Sequence, residues 1–153
     1  MPRSELADLV AANQRQFLAV ITGVADDLAT TRPAPEEWSL RELTRHVILA
    51  QDSVARIIDA LGRGDDLESP VLGDAGSMLD DDGRTVVAYV EQVGETNARI
   101  LDAIRGLPDA PDLAVTAHHP WLGPLNCLEW AANQVVHDAD HVQHARKIIA
   151  AVG

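Results

Sequence analysis

The residues best suited to chemistry lie close together in the run VVHDADHVQHARKI: His137, His141 and His144. Their spacing of i, i+4 and i+7 places all three on one face of a helix. Three imidazoles on an otherwise apolar face point to a metal, because neutral imidazole is the commonest metal-binding side chain. His137 and His141 are one turn apart, about 6 Å between Cα atoms, so both can reach one ion in the manner of helical HxxxH motifs. His144 stands about 10 Å along the axis from His137, and one helix would struggle to deliver all three to a single ion. A further ligand should then come from another helix. His46, in WSLRELTRHVILAQ, is the only histidine on the three preceding helical segments. Three histidines with open positions are the arrangement of a catalytic site, and zinc, nickel, manganese or ferrous iron could occupy it. Against this stand the plainer readings. A single buried histidine is ordinarily a hydrogen-bonded core residue, and an HxxxH pair can be a surface patch.

An ion held by neutral histidines keeps most of its positive charge. It lowers the pKa of a bound water or thiol and so supplies a nucleophile near neutral pH. Ligating histidines normally donate their second N–H to a carboxylate, carbonyl or water. Asn133 lies four residues before His137 and Glu42 four before His46, within reach. Glu42 also has a helix-capping task, and Asp138 and Asp140 point to other faces. His118 and His119 sit in a proline-containing loop and read as surface residues, or else as the mouth of the site. Trp38 and Trp130 are expected to pack at helix ends, while Trp121 fits either packing or ligand contact. Cys127 falls in the first turn of the last helix, where the helix terminus can lower a thiol pKa, although a small inert residue is the default there. No Ser–His–Asp arrangement and no glycine-rich phosphate loop is present.

Four helical segments must position these residues. The first is expected over Ser4 to Thr30, with Leu6, Leu9, Val10, Phe17, Val20, Ile21, Val24 and Leu28 at helical spacing and Pro33 and Pro35 beyond it. The second starts at the capping box SLRE, Ser39 to Glu42, and stops at Gly62 and Gly64. The third covers about Arg84 to Arg105. The fourth starts at Asn126, capped with Glu129, and runs to about Ala150, with Leu128, Ala131, Val135, Ala139, Val142 and Ile149 as its apolar set. Two long connections separate them. One is acidic, from Gly62 to Gly83, and the other carries four prolines between Leu107 and Pro124. The expected fold is all-α, a four-helix bundle with long inter-helix crossover loops, and residues 1–153 read as a single domain.

Composition narrows the function. Aromatic residues make up 3%, so the core must be aliphatic, which suits helix packing. The net charge of −12 argues against nucleic acid. The acid between Asp65 and Asp82, with the triplet Asp80–Asp81–Asp82, reads as a solvated loop, since it lacks the alternating ligands of a calcium loop. The single cysteine forbids an intrachain disulfide. No signal peptide and no membrane-spanning run is evident, so the expected location is cytoplasmic.

Three segments taken in order carry a resemblance: EEWSLRELTRHV, HPWLGPLNCLEW and HDADH. They resemble the W-S…H opening of the second helix, the approach to the last helix and the H-D-x-x-H motif of the DinB-like (YfiT-like) family, over nearly the whole chain. The resemblance implies a four-helix bundle, often paired as a homodimer, with a divalent metal on His46, His137 and His141. It also implies kinship with transferases and isomerases that use a low-molecular-weight thiol such as mycothiol or bacillithiol. His144 departs from the family, which often has Gln there. It is expected as a supporting or surface residue rather than a ligand. The functional expectation is a metal-dependent thiol transferase or isomerase acting on a small-molecule substrate. A hydrolase using the same site, and a non-catalytic metal- or ligand-binding dimerisation module, are the alternatives.

Overall fold

The computed structural model describes residues 1–67 and 83–153. The elements are α1 (Arg3–Ile21), α2 (Asp26–Ala29), α3 (Leu40–Gly62), α4 (Val86–Arg105), β1 (Ala117–His119), β2 (Gly123–Leu125) and α5 (Cys127–Val152). The four long helices form the bundle. α1 packs chiefly against α4 and α5, and α3 packs against the same two. Consecutive long helices α1 and α3 are therefore not close neighbours, and neither are α4 and α5. The chain must cross an end of the bundle twice, which is why those connections are long. Most of the acidic stretch, including Asp80–Asp82, lies outside the described residues. Among those described, no helix is long and apolar enough to cross a membrane.

Local chemistry sets the helix ends. α1 is shorter than the apolar spacing predicts and stops at Ile21 instead of Thr30. Thr22 is extended and its hydroxyl donates back to the Leu18 carbonyl at 2.6 Å. Gly23 then adopts φ +82°, a left-handed conformation that glycine enters freely, and only one helical turn, α2, follows. At α3 the capping box forms as expected. The Ser39 hydroxyl accepts from the Glu42 N–H at 3.2 Å, and the Glu42 carboxylate accepts from the Ser39 N–H at 3.1 Å. Arg32 clamps that carboxylate through two further bonds, at 2.8 and 2.9 Å. Asn126 and Glu129 make the same reciprocal pair at the start of α5, at 2.9 and 3.0 Å. Each such cap contributes about 0.5–2 kcal/mol.

One exception to the all-helical expectation lies in the proline-rich connection. Ala117–His119 pairs antiparallel with Gly123–Leu125. Trp130, packed at the start of α5 and fully buried, donates its indole N–H to the Ala117 carbonyl at 3.2 Å, which fastens the hairpin to the bundle.

The core has two apolar parts. One gathers Leu6, Val10, Ile58, Ile100, Ile104 and Trp130; the other gathers Phe17, Leu43, Val47, Val93, Val142 and Ile148. Between them every long helix contributes a buried polar residue: Gln14 from α1, Gln51 from α3, Thr96 and Asn97 from α4, Gln134 and Asp138 from α5. Thr96 donates to Gln51 at 2.7 Å, and Gln134 donates to Asp138 at 2.7 Å. This corrects the expected stripe of α5. Ala139 is exposed, and the inward positions are Ala131, Gln134, Asp138, Val142, Ala145 and Ile148.

Candidate metal site

α3 and α5 are packed neighbours, and the histidines meet along their seam. On α5, His137, His141 and His144 each precede an inward residue by one position, which puts them at the border of the buried stripe, half-buried. On α3, His46 precedes the buried Val47 in the same way. The rings of His46 and His141 stand edge to face, centroids 5.0 Å apart and planes at 85°. Trp38, just before the α3 cap, closes the group. It lies 5.2 Å from the His46 ring and stacks on His144 at 6.3 Å with planes 17° apart.

Burial pushes His141 down to about 3, with the nearby charges of His46, His137 and His144 acting in the same direction. His46 is lowered by burial first, then by His137 and His144. His141 is thus neutral at pH 7, and the same downward shift favours the neutral form of His46. The Nδ1 of His141 is buried with no hydrogen-bond partner. An unpaired buried nitrogen costs about 1–3 kcal/mol, so the position favours a species that binds there.

The fit to a divalent ion is good for two residues and looser for the third. Two imidazoles sharing an ion at a metal–nitrogen distance of about 2.1 Å hold their centroids roughly 5 Å apart, as His46 and His141 do. His137 is farther, 6.2 Å from His141 with nearly parallel rings. Among the described residues, no three His, Cys, Asp or Glu side chains stand in ligand geometry. By donor chemistry, neutral imidazoles suit zinc, nickel, manganese or ferrous iron.

The expected supporting groups are partly reassigned. Asn133 turns to His119, its side-chain amide 3.3 Å from Nε2, and not to His137. His119 is itself a correction. It is buried, not at the surface, and its Nδ1 accepts the backbone N–H groups of Trp121 and Leu122, both at 3.2 Å. The ring proton therefore sits on Nε2, and the Asn133 amide is best oriented with its oxygen toward it. Burial, then the charges of His137 and His118, lowers the His119 pKa. His118 is exposed, as expected. Glu42 serves the cap and Arg32. Burial would raise its pKa, but those hydrogen bonds outweigh it and the net shift is downward. Asp138 faces the interior, where burial lifts it to about 7 against the pull of the Gln134 hydrogen bond. Cys127 is not activated by the helix terminus. Burial pushes its thiol up, outweighing the backbone hydrogen bonds that would lower it.

Residue spacing alone missed Gln134 and Asp138 as interior groups and His119 as a buried one. For Asp138 a signal existed: the rhythm Ala131, Gln134, Asp138, Val142 and Ala145 is helical once polar residues are admitted.

Comparison with known proteins agrees with this architecture. No curated protein matches the sequence. Among solved structures, YfiT from Bacillus subtilis is described as "a probable metal-dependent hydrolase with an unusual four-helix bundle topology". It superposes with a TM-score of 0.79 at 11% identity, covering 95% of this chain and 85% of that one. TT2238, a four-helix bundle protein, gives 0.70 at 20% identity over 95% and 98% of the two chains. An uncharacterised protein from Escherichia coli UTI89 gives 0.71 at 15% identity over 95% and 91%. At these identities the likeness speaks for the fold. The pattern of the DinB superfamily matches residues 9–145, and the chain belongs to that superfamily.

Proposed function

We propose that this protein binds one divalent metal ion through His46, His137 and His141 and uses it as a metal-dependent enzyme, a thiol transferase or isomerase of the mycothiol or bacillithiol type. The observation that carries the reading is the facing pair His46–His141 at 5.0 Å, both rings lowered in pKa by burial, with His137 one turn away on the same face. A divalent ion bound there supplies Lewis-acid activation of a thiol or water. The protein's own part is to favour the neutral form of His46 and His141 by burial and to flank them with the Trp38 ring. Hydrolysis at the same site is the second reading, favoured by the structural likeness to YfiT and its description as a probable metal-dependent hydrolase.

Elemental analysis of the untagged protein tests the site, beside a His46→Ala, His137→Ala, His141→Ala triple variant. One divalent ion per chain in the wild type and none in the folded variant is expected. Wild type that takes up no ion when offered zinc, nickel, manganese or ferrous iron overturns the reading. Assays with a low-molecular-weight thiol plus an electrophile, and with ester or amide substrates without thiol, then separate transferase from hydrolase.

A further inference from the structure

Beyond the histidines, the wall formed by Trp38 and His144 has a second side. A groove of about 610 Å³ lies there, lined by Glu36, Glu37, Trp38, His144, Lys147 and Ile148 among others. That volume is in the range of small-molecule sites. Its charges are unusual for this molecule. Lys147 is the only lysine of the chain, in a protein of net charge −12. Much of the remaining cationic charge is spent on ion pairs: Arg3 with Asp109, Arg32 with Glu42, Arg56 and Arg99 with Asp52, and Arg63 with Asp65. Lys147 makes no ion pair among the described residues. Glu36 and Glu37, in the loop before α3, make none among the described residues either. The groove is thus lined by one ammonium and two carboxylates that form no ion pair with one another. The same groove is lined by the Trp38 indole, whose surface favours an apolar group.

An anion alone would meet the two glutamates, and a cation alone would meet Lys147. A ligand carrying both charges meets each with its opposite. We propose that this groove binds a small zwitterionic ligand of the α-amino-acid class. Its carboxylate pairs with Lys147, its ammonium with Glu36 and Glu37, and its side chain lies along Trp38 toward the histidines. The link to chemistry at the histidines rests on the metal-site reading; binding in the groove does not.

The test titrates metal-free, full-length protein with L-leucine, N-acetyl-L-leucine, which lacks the ammonium, and L-leucinamide, which lacks the carboxylate. L-Leucine should bind at least tenfold more tightly than either blocked analogue. Lys147→Gln and the double variant Glu36→Gln, Glu37→Gln should each weaken it about tenfold. Because Lys147 carries the only side-chain amine, L-leucine should also slow its acylation by an amine-reactive ester, read by mass spectrometry. Binding should persist in the triple histidine variant, so a failed metal reading leaves this result standing. Three outcomes overturn the proposal: equal binding of the three compounds, no loss in Lys147→Gln, or loss in the triple histidine variant with none in Lys147→Gln, which would mark chelation at the histidines.

Discussion

Two polar groups occupy adjacent strips of α5, and they are built on opposite plans. The inward strip, Gln134 and Asp138, belongs to a layer bonded helix to helix and along the helix, Gln134 with Asp138 and Thr96 with Gln51, in which only Asp138 Oδ2 and Asn97 Oδ1 are left without a partner among the described residues. The outward strip, His137, His141 and His144, gathers like groups at whose centre burial, and then its neighbours, lower the protonation of His141 and leave its Nδ1 without a partner. Hydrogen-bonded amides in a core specify how helices align. Imidazoles that cannot pair among themselves await something else. One residue of offset on a helix separates a group made for structure from one suited to binding.

The sharpest way to break this comparison is His141→Ala. It should lower divalent-metal affinity at least a hundredfold by metal titration, while the metal-free protein melts near the wild-type temperature, because it removes a nitrogen that had no partner. A large loss of metal-free stability would mean that His141 is an ordinary core residue. Gln51→Leu should do the reverse. It removes the shorter of the two bonds of the buried Thr96 hydroxyl, leaving the Val93 carbonyl at 3.2 Å, and should cost about 0.5–1.5 kcal/mol by urea unfolding, with metal affinity unchanged.

The two strips should also respond oppositely to pH in the metal-free protein. His141 falls from 6.5 to about 3 on folding. The unfolded chain then binds the extra proton between those values, and stability drops as pH falls through that window. Asp138 rises from 3.8 to about 7. Here the folded state holds the extra proton, and stability drops as pH rises from about 4 to 7. Each fully shifted group contributes a slope of about 1.4 kcal/mol per pH unit. The two nearly cancel between pH 4 and 6.5. Asp138→Asn should unmask a stability that climbs with pH, and His141→Gln one that declines, both read from urea midpoints across pH 4–7. Parallel curves for the two variants would refute the assignment.

The smallest effect concerns Cys127. Buried and raised in pKa, it should alkylate with iodoacetamide far more slowly in the native protein than in urea, at every pH up to 8. Rapid native labelling would show that the helix terminus, not burial, governs it.

The bundle was legible wherever local chemistry and long-range packing agree. Ser39–Glu42 and Asn126–Glu129 mark helix starts in the sequence and are helix starts in the structure. The HxxxH pair is visible from spacing alone, and placing His46 opposite it needed only the idea that a further ligand must come from another helix. What stayed hidden depends on tertiary context. Periodic apolar residues from Val20 to Leu28 suggested a continuous helix, yet Gly23 breaks it because the chain must turn there toward the far side of the bundle. Asp138 was legible only as lying on another face than the histidines; that this face is the interior depends on the helices packed around it and on Gln134 one turn away. His119 looked exposed because nothing local shows that a hairpin folds it against Asn133 and Trp130.

The division of the interior into two apolar halves bears on how the molecule opens. Halves joined by hydrogen-bonded amides, not by continuous packing, can fluctuate as separate cooperative units, and amide exchange would report distinct opening energies on either side of residues 14, 51, 96 and 134. His137 stands beside that boundary, while His46 and His141 stand on the side of Val47 and Val142. An ion gripping all three would act as a rivet across it, merging two breathing modes into one.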